Sequence, residues 1–387
     1  MNPNNHIEQL IHNLCPSGVP HKTLGEIEDI GIVTLGRGNI ISKETIIAHP
    51  GDYPVYSSSS QGNGEMGRYG KYMFTDQRIS WSIDGGGKFF FRDDTYYSVT
   101  NVCGWLKVNN KKILDIKYLY YILYEQWVHK RFDYTLKAHP SVIRDLYLIP
   151  LPPLPIQEEI VRILDTFTEL ITNIDTEIQK QQCELDLCRK QIFHQLNCKY
   201  EQLSSIFDMR GGYTPSTKNP EYWTDNTGYS WYTMDDIRKN GRKLGNSIRH
   251  ITEKAVKGKG LFPKGTIVFA TSATIGEHAI LMKPALTNQR FTAIIPKKDD
   301  VYMMFYYHYA FIIDKWCLQH IKRGGFNSVD MDGFAKLPIP LPPLSEQRAI
   351  AEKLDTFEKL ITNLKTERDL RQQQYEYYRE KLINLLK

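Results

Sequence analysis

The stretch IPLPPLSEQRAIAEKLDTFEKLITNLKTE (Ile339–Glu367) decides the fold, because IPLPPLPIQEEIVRILDTFTELITNIDTE (Ile149–Glu177) stands 190 positions before it. Paired without gaps, 18 of 29 positions are identical. Chance gives only a few, so the chain contains an internal duplication. Each copy opens with P-L-P-P-L. Proline fixes φ and removes amide donors, so this piece predicts a stiff, extended connector. Gln157-Glu158 and Gln347-Arg348 follow the prolines, and no further Pro or Gly interrupts what should be a helix.

The apolar spacing gives the kind of helix. Candidate core positions are Ile160, Leu164, Phe167, Ile171, Ile174, Ile178, Leu185, Cys188 and Ile192 in the first copy. In the second they are Ile350, Leu354, Phe357, Ile361, Leu364, Tyr375, Tyr378 and Leu382. Steps of three and four sustained for about five heptads predict a coiled coil. Gln181 breaks the first seam, and Arg368 and Arg371 break the second. Polar seam residues either fix register or mark where the helices part and admit water. Helices of about 40 residues span about 60 Å. Antiparallel pairing within the chain is expected, with a pseudo-twofold relation between the halves.

The segments outside the copies are also related. LIHNL (Leu10–Leu14), IFHQL (Ile192–Leu196) and LINLL (Leu382–Leu386) resemble one another. HKTLGEI (His21–Ile27) resembles YEQLSSI (Tyr200–Ile206), and SVTN (Ser98–Asn101) resembles ALTN (Ala285–Asn288). The expected organisation is cyclic. A helical stub covers 1–19, an α/β domain 20–148, and a connector with its long helix 149–198. A second domain covers 199–337, and a second connector and helix 338–387. Strand-like runs (ISWSI at 79–83, KFFF at 88–91, TIVFAT at 266–271, RFTAIIP at 290–296) alternate with helix-like runs at 116–132 and 302–316. The fold class is therefore α+β: two mixed α/β domains separated by two long antiparallel coiled-coil helices.

Composition narrows the function. The 387 residues are 41% hydrophobic and 24% charged, as in ordinary globular chains. No apolar run has the length of a membrane span, and MNPNNHIEQLIHNL lacks the features of an export signal. The six cysteines form no C-x-x-C pair, so reduced thiols in a cytoplasmic protein are expected, with no metal site. The net charge is +5, and it is uneven. Segments 20–148 and 199–337 carry +2 and +7, whereas 149–198 and 338–387 carry −4 and +1. Positive charge between the copies suits a polyanion there, or a plain solvated surface.

Motifs for chemistry are missing. There is no phosphate loop, H-E-x-x-H or nucleophile elbow. NPEYW (Asn219–Trp223) only approaches the N-P-P-Y tetrad of amino-methyltransferases; a polar loop capping a helix is the better reading. No catalytic residue and no cofactor is expected. The loops between strands are instead rich in Gly, Ser, Thr and Asn: YSSSSQGNGEMGRYGKY, SIDGGGK, MRGGYTPSTKNPEYW, ATSATIG and KRGGFNSVDMDG. Such loops present hydroxyls and amides, and flanking Arg and Lys supply phosphate and base contacts.

Together these features resemble the DNA specificity subunit of type I restriction-modification systems. The carriers are the two IPLPPL…LDTF segments with their heptad helices, GGYTPSTKNPEYW, ALTNQRF and GDYPVYSSSSQGNGEMGRYG. The resemblance implies that each α/β domain is a target recognition domain reading half of a split site on double-stranded DNA. It implies partners too: methylation (modification) subunits, two of them, docking on the helices, and restriction/translocase subunits. It implies no catalysis by this chain and no membrane. Expected DNA contacts are Arg37, Ser58, Ser59, Arg68, Lys71 and Lys88 in the first domain. In the second they are Arg210, Tyr213, Thr214, Ser216, Lys218, Arg238, Thr271, Asn288, Gln289, Arg290, Arg323 and Asn327. The recurrence of Thr-Asn at 100–101 and 287–288 fits a structural turn as readily as readout. A two-domain adaptor without DNA, and a nuclease or methyltransferase, are the competing readings.

Overall fold

The structure is a computed structural model that describes residues 3–59, 62–133, 136–225, 227–322 and 327–387. It divides into two compact units, Met1–Asp175 with Thr366–Lys387, and Thr176–Lys365. The boundary falls inside both long helices, Leu154–Gln195 and Leu344–Asn384. The first of these begins one residue before Pro155, where a missing amide costs nothing because first-turn amides have no partner within the helix.

Both units are built on one plan. In the first, an antiparallel sheet runs in the order Val33–Arg37, Cys103–Val108, Arg78–Ser82, Phe89–Arg92. In the second, the order Phe207–Gly211, Phe291–Pro296, Ile267–Ala270, His278–Leu281 repeats it, with Lys243–Leu244 added at the edge. A smaller sheet accompanies each. Tyr53–Tyr56 pairs antiparallel with Glu65–Tyr69 and parallel with Ser98–Val99. Tyr229–Tyr232 likewise pairs antiparallel with Arg249–Ile251 and parallel with Ala285–Thr287. The related SVTN and ALTN segments thus supply the parallel strand of each unit.

The duplicated connector is a strand, not only a linker. Leu148–Pro150 pairs with His21–Thr23, and Pro338–Leu341 pairs with Lys199–Gln202. Leu24, Ile27, Leu203 and Ile206, the matched positions after these strands, are all fully buried. Past the connector stands a glutamine in each copy, and each performs the same task. Gln157 Nε2 donates to the carbonyls of Ile113 and Pro152 (2.9 and 2.7 Å), and its Oε1 accepts from Asp115 N (2.9 Å). Gln347 Nε2 donates to the carbonyls of Asp300 and Pro342 (2.8 and 2.9 Å), and its Oε1 accepts from Tyr302 N (2.8 Å). Each glutamine therefore satisfies three backbone groups where the chain leaves an α/β domain and becomes a long helix. Tyr118 and Tyr306, from the helices Ile116–Val128 and Met303–Gln319, donate to the carbonyls of Pro150 and Pro340, both at 2.9 Å.

The heptad positions face inward. Ile160, Leu164, Leu354, Ile361 and Leu382 are buried, and Phe167, Ile171, Ile178, Ile350 and Phe357 pack at the margin. In the first unit Phe167 stacks on Tyr378 with centroids 5.3 Å apart, and Asp175 meets Arg368 at 3.3 Å. Later residues of one helix meet earlier residues of the other, so the pair is antiparallel. The seam-breaking Arg368 thus spans to an acid on the opposite helix, half exposed, while Gln181 donates within its own helix to Glu177 (2.8 Å). The N-terminal helix Pro3–Leu14 places Ile7 in the same core as Leu382, Ile383 and Leu386.

Candidate nucleic-acid interface

In the second unit a group of the expected residues converges where the two sheets meet. Gly212 makes this possible: a Cβ there would overlap Thr287 Oγ1 and the carbonyl oxygens of Thr287 and Asn288. Close approach lets Tyr213 N donate to Thr287 O (2.9 Å) and Gly212 N to Phe291 O (3.1 Å). Asn288 Oδ1 accepts from Arg290 N (3.0 Å), closing a side-chain turn. Thr271 N donates to Arg290 O (3.0 Å), and Ala273 N donates to Asn327 O (3.4 Å). The Thr214 hydroxyl donates to Gln289 Oε1 at 2.6 Å. Thr214, Gln289, Arg290 and Asn327 are exposed, Asn288 is half-buried, and Thr271 is buried against Thr292. Ala273 holds φ at +65°, a left-handed conformation unusual for a residue with a Cβ.

Tyr213 is structural as placed. Its hydroxyl donates to Ala255 O (3.0 Å) and accepts from Lys257 N (2.7 Å). Its carbonyl accepts from Trp231 Nε1 (3.0 Å), and Trp223 Nε1 donates to Ser216 O (3.1 Å). Two edge-to-face tryptophans therefore carry the loop that exposes Ser216 and Lys218, with Arg249 stacked 3.7 Å over Trp223. NPEYW caps a short 3₁₀ turn, Asn219 Oδ1 accepting from Glu221 N (3.1 Å). Arg210 lies apart from this surface, donating to Lys259 O (2.9 Å) and packing 4.2 Å over Phe262. Burial lowers its pKa. Arg238 is exposed beside Asp235 on the helix Met234–Asn240. Arg323 lies outside the described residues.

The first unit uses the same joint differently. A Cβ on Gly38 would overlap the carbonyls of Val99 and Thr100, matching the constraint at Gly212. Thr100 is buried, donates to Ser57 Oγ (3.3 Å) and stands where Asn288 stands in the second unit. Thr100 N donates to Tyr56 O and Asn288 N to Tyr232 O, so the Thr-Asn likeness in sequence is one residue out of structural register. Here Arg37 spends its guanidinium on the backbone: Nε and Nη2 both donate to Asn101 O (3.0 and 2.7 Å). Arg68 donates to Asp52 O (2.9 Å) and pairs with Glu65 (3.1 Å), and Lys71 is exposed. Ser58 is half-buried with its carbonyl against Gly85, Ser59 is exposed, and Lys88 lies 5.1 Å over Phe90.

Sequence reasoning missed Arg92. It is 3% exposed, donates to Ser80 Oγ and Asn63 O (both 2.8 Å), and lies 3.5 Å over the Tyr56 ring. It braces the loop that ends at Gly64, and burial lowers its pKa. Only its place in a strand among aromatics, FFFR, could have flagged it. Also missed was a surface cluster of Tyr53, Tyr72 and Tyr96, with centroids 4.6–5.4 Å apart.

One group in the second unit has metal-ligand types: His308, Asp355 and Glu358. It already contains its cations. Lys243 Nζ lies 2.8 Å from Asp355 and 2.9 Å from Glu358, and Arg189 pairs with Glu358. Burial alone would raise the Asp355 pKa, but hydrogen bonds from His308 and Lys243 outweigh it and hold the carboxyl low. The arrangement is an ion-pair network.

The fold and its paired joints define a class: two related α/β domains, each joined to a long helix by the same connector, with dissimilar polar loops at equivalent places. The comparisons with known proteins give the family. The description "Type I restriction modification DNA specificity domain" matches residues 16–181 and 197–371, and the chain belongs to that family. It is 43% identical over 196 residues to the type I restriction enzyme EcoprrI specificity subunit of Escherichia coli, covering 47% of this chain and 49% of that one. It is 32% identical over 303 residues to the EcoR124I/EcoR124II specificity subunit of E. coli, covering 72% of each. In fold it is similar to the type I restriction-modification S subunit from M. genitalium, at a TM-score of 0.59 and 17% identity, covering 94% of this chain and 95% of that one. No helix among the described residues is long and apolar enough to cross a membrane.

Proposed function

We propose that the chain reads a split target on double-stranded DNA, one half-site through segment 20–148 and the other through 199–337. The long helices set the gap between the halves and offer a surface to the methylation subunits, of which two bind, with restriction/translocase subunits joining them in the cytoplasm. The observation that carries this reading is the joint at Gly38 and Gly212. The same backbone constraint recurs in both units, yet the side chains beside it differ: Arg37 is bonded to the Asn101 carbonyl in one, whereas Thr214, Gln289 and Arg290 are exposed in the other. A shared scaffold with different exposed polar groups is what reading two different sequences requires. At the helix ends the two units agree nearly bond for bond, which supports one repeated mechanical role there.

The DNA contacts proposed are the exposed residues of the joints and their loops: Ser59, Arg68 and Lys71 in the first segment, and Thr214, Ser216, Lys218, Gln289, Arg290 and Asn327 in the second. Arg37, Tyr213 and Thr271 support these loops, and Arg210 is held away from them against Lys259 O and Phe262. The test is binding of the chain with its methylation subunits to DNA fragments carrying the genomic methylation motif. Binding should fall steeply with salt and require both halves at one gap length. Equal binding to fragments lacking either half would overturn the reading.

A further inference from the structure

The Thr214–Gln289 pair is built for more than a generic polar contact. The two residues lie 75 positions apart and meet on the surface through a 2.6 Å hydrogen bond. Everything around Gln289 is fixed. Asn288 N donates to Tyr232 O (3.1 Å), Phe291 N to Asn288 O (3.3 Å), and Thr271 N to Arg290 O (3.0 Å). Asn288 Oδ1 holds Arg290 N, and Gly212 closes the floor beneath. The apex backbone is therefore pinned on both sides, and only the Gln289 side chain had rotational freedom left to lose. Thr214 removes it. With the Thr214 hydroxyl donating to Oε1, the oxygen is the end of the amide held by the protein. Nε2 then remains as an outward donor beside an oxygen with a second lone pair.

We propose that Gln289 reads an adenine in the half-site taken by the second unit, with Thr214 as its positioning residue. This rests on the DNA-reading function proposed above. The chemistry selects the base: adenine alone offers, side by side in the major groove, an acceptor at N7 and a donor at N6. An amide with one fixed donor and one available acceptor matches that edge. Guanine offers two acceptors there, and its O6 would face the amide oxygen.

The test is a map of methylated sites in cells carrying the chain with its methylation subunits. Gln289→Glu keeps the shape and removes the donor. The A at one position of one half-site should lose about 5- to 150-fold of its preference, with cytosine gaining because its N4 amine donates to a carboxylate. Thr214→Val should weaken discrimination at that same position several-fold, and Thr214→Ser should restore it. The other half-site and the gap should not change in any variant. Both side chains are exposed, so folding is not at stake. An unchanged motif in Gln289→Glu overturns the proposal, as does an equal loss at every position, which would mark a backbone contact. Failure of Thr214→Ser to restore what Thr214→Val loses overturns the positioning role. A wild-type complex that marks no split motif overturns the proposal together with the reading on which it rests.

Discussion

The two units agree most where the chain enters its helices and least where the sheets meet the exposed loops. Gln157 and Gln347 satisfy equivalent sets of backbone groups, and Tyr118 and Tyr306 cap equivalent proline carbonyls at the same distance. At the other joint, Gly38 and Gly212 impose one backbone geometry, but the side chains presented differ in kind. The duplication is thus kept bond for bond where the chain enters its helices and has diverged in the side chains at the joint where we propose that DNA is read. A third position lies between these extremes. Arg379 and Arg189 stand 190 residues apart, as the copies do, and both are buried. Arg379 meets Glu125 at 2.6 Å, whereas Arg189 meets Glu358, which also holds Lys243.

That third position gives the largest test of the comparison. Arg379→Ala leaves Glu125 buried with no cation among its described partners except the exposed His129 at 3.1 Å, and should cost about 3–5 kcal/mol. Arg189→Ala leaves Glu358 with Lys243 and should cost about half as much. Urea denaturation of the two variants compares them, and equal losses would mean that Lys243 does not compensate. Next come the glutamines. Gln157→Leu and Gln347→Leu each orphan one part-buried amide and two carbonyls and should destabilise by about 2–4 kcal/mol. Here the comparison demands equality: a gap of more than about 1 kcal/mol between them would break the equivalence of the two joints.

A smaller effect separates the units by pH. His278 is fully buried in the second unit, and burial lowers its pKa, against the opposing hydrogen bond to Asp314 at 2.7 Å. The imidazole is therefore neutral in the fold, and the unfolded chain binds the extra proton below about pH 6.5. Stability of the second unit should be full above that pH and fall by about 1 kcal/mol between pH 7 and 5.5. Hydrogen exchange resolved by unit would detect it as faster exchange in Thr176–Lys365. His278→Gln should flatten the dependence.

Much of this was legible in the sequence, for physical reasons that particular residues make plain. The heptad seam has a strong period, the strands and aromatic helices stand out as dense apolar runs, and the copies announce themselves by identity. The two-residue parallel strand Ser98–Val99 has no period to detect, and only its likeness to ALTN hinted at a shared place. Gln157 and Gln347 were visible as an identical pair, but nothing in a sequence states which carbonyls await a donor. Arg37 and Thr271 look like DNA contacts by type, yet one is spent on Asn101 O and the other is buried. Loop chemistry depends on contacts between residues far apart in sequence, and Thr214 with Gln289 is the clearest case.

The central claim is that the two α/β segments are interchangeable scaffolds that differ in what they read. The most direct measurement replaces residues 199–337 with a second copy of 20–148 and maps the DNA methylated in cells that also carry the methylation subunits. The account predicts a new motif made of two copies of the first half-site, with the second half-site gone. Retention of the original motif, or methylation without any split motif, would contradict it.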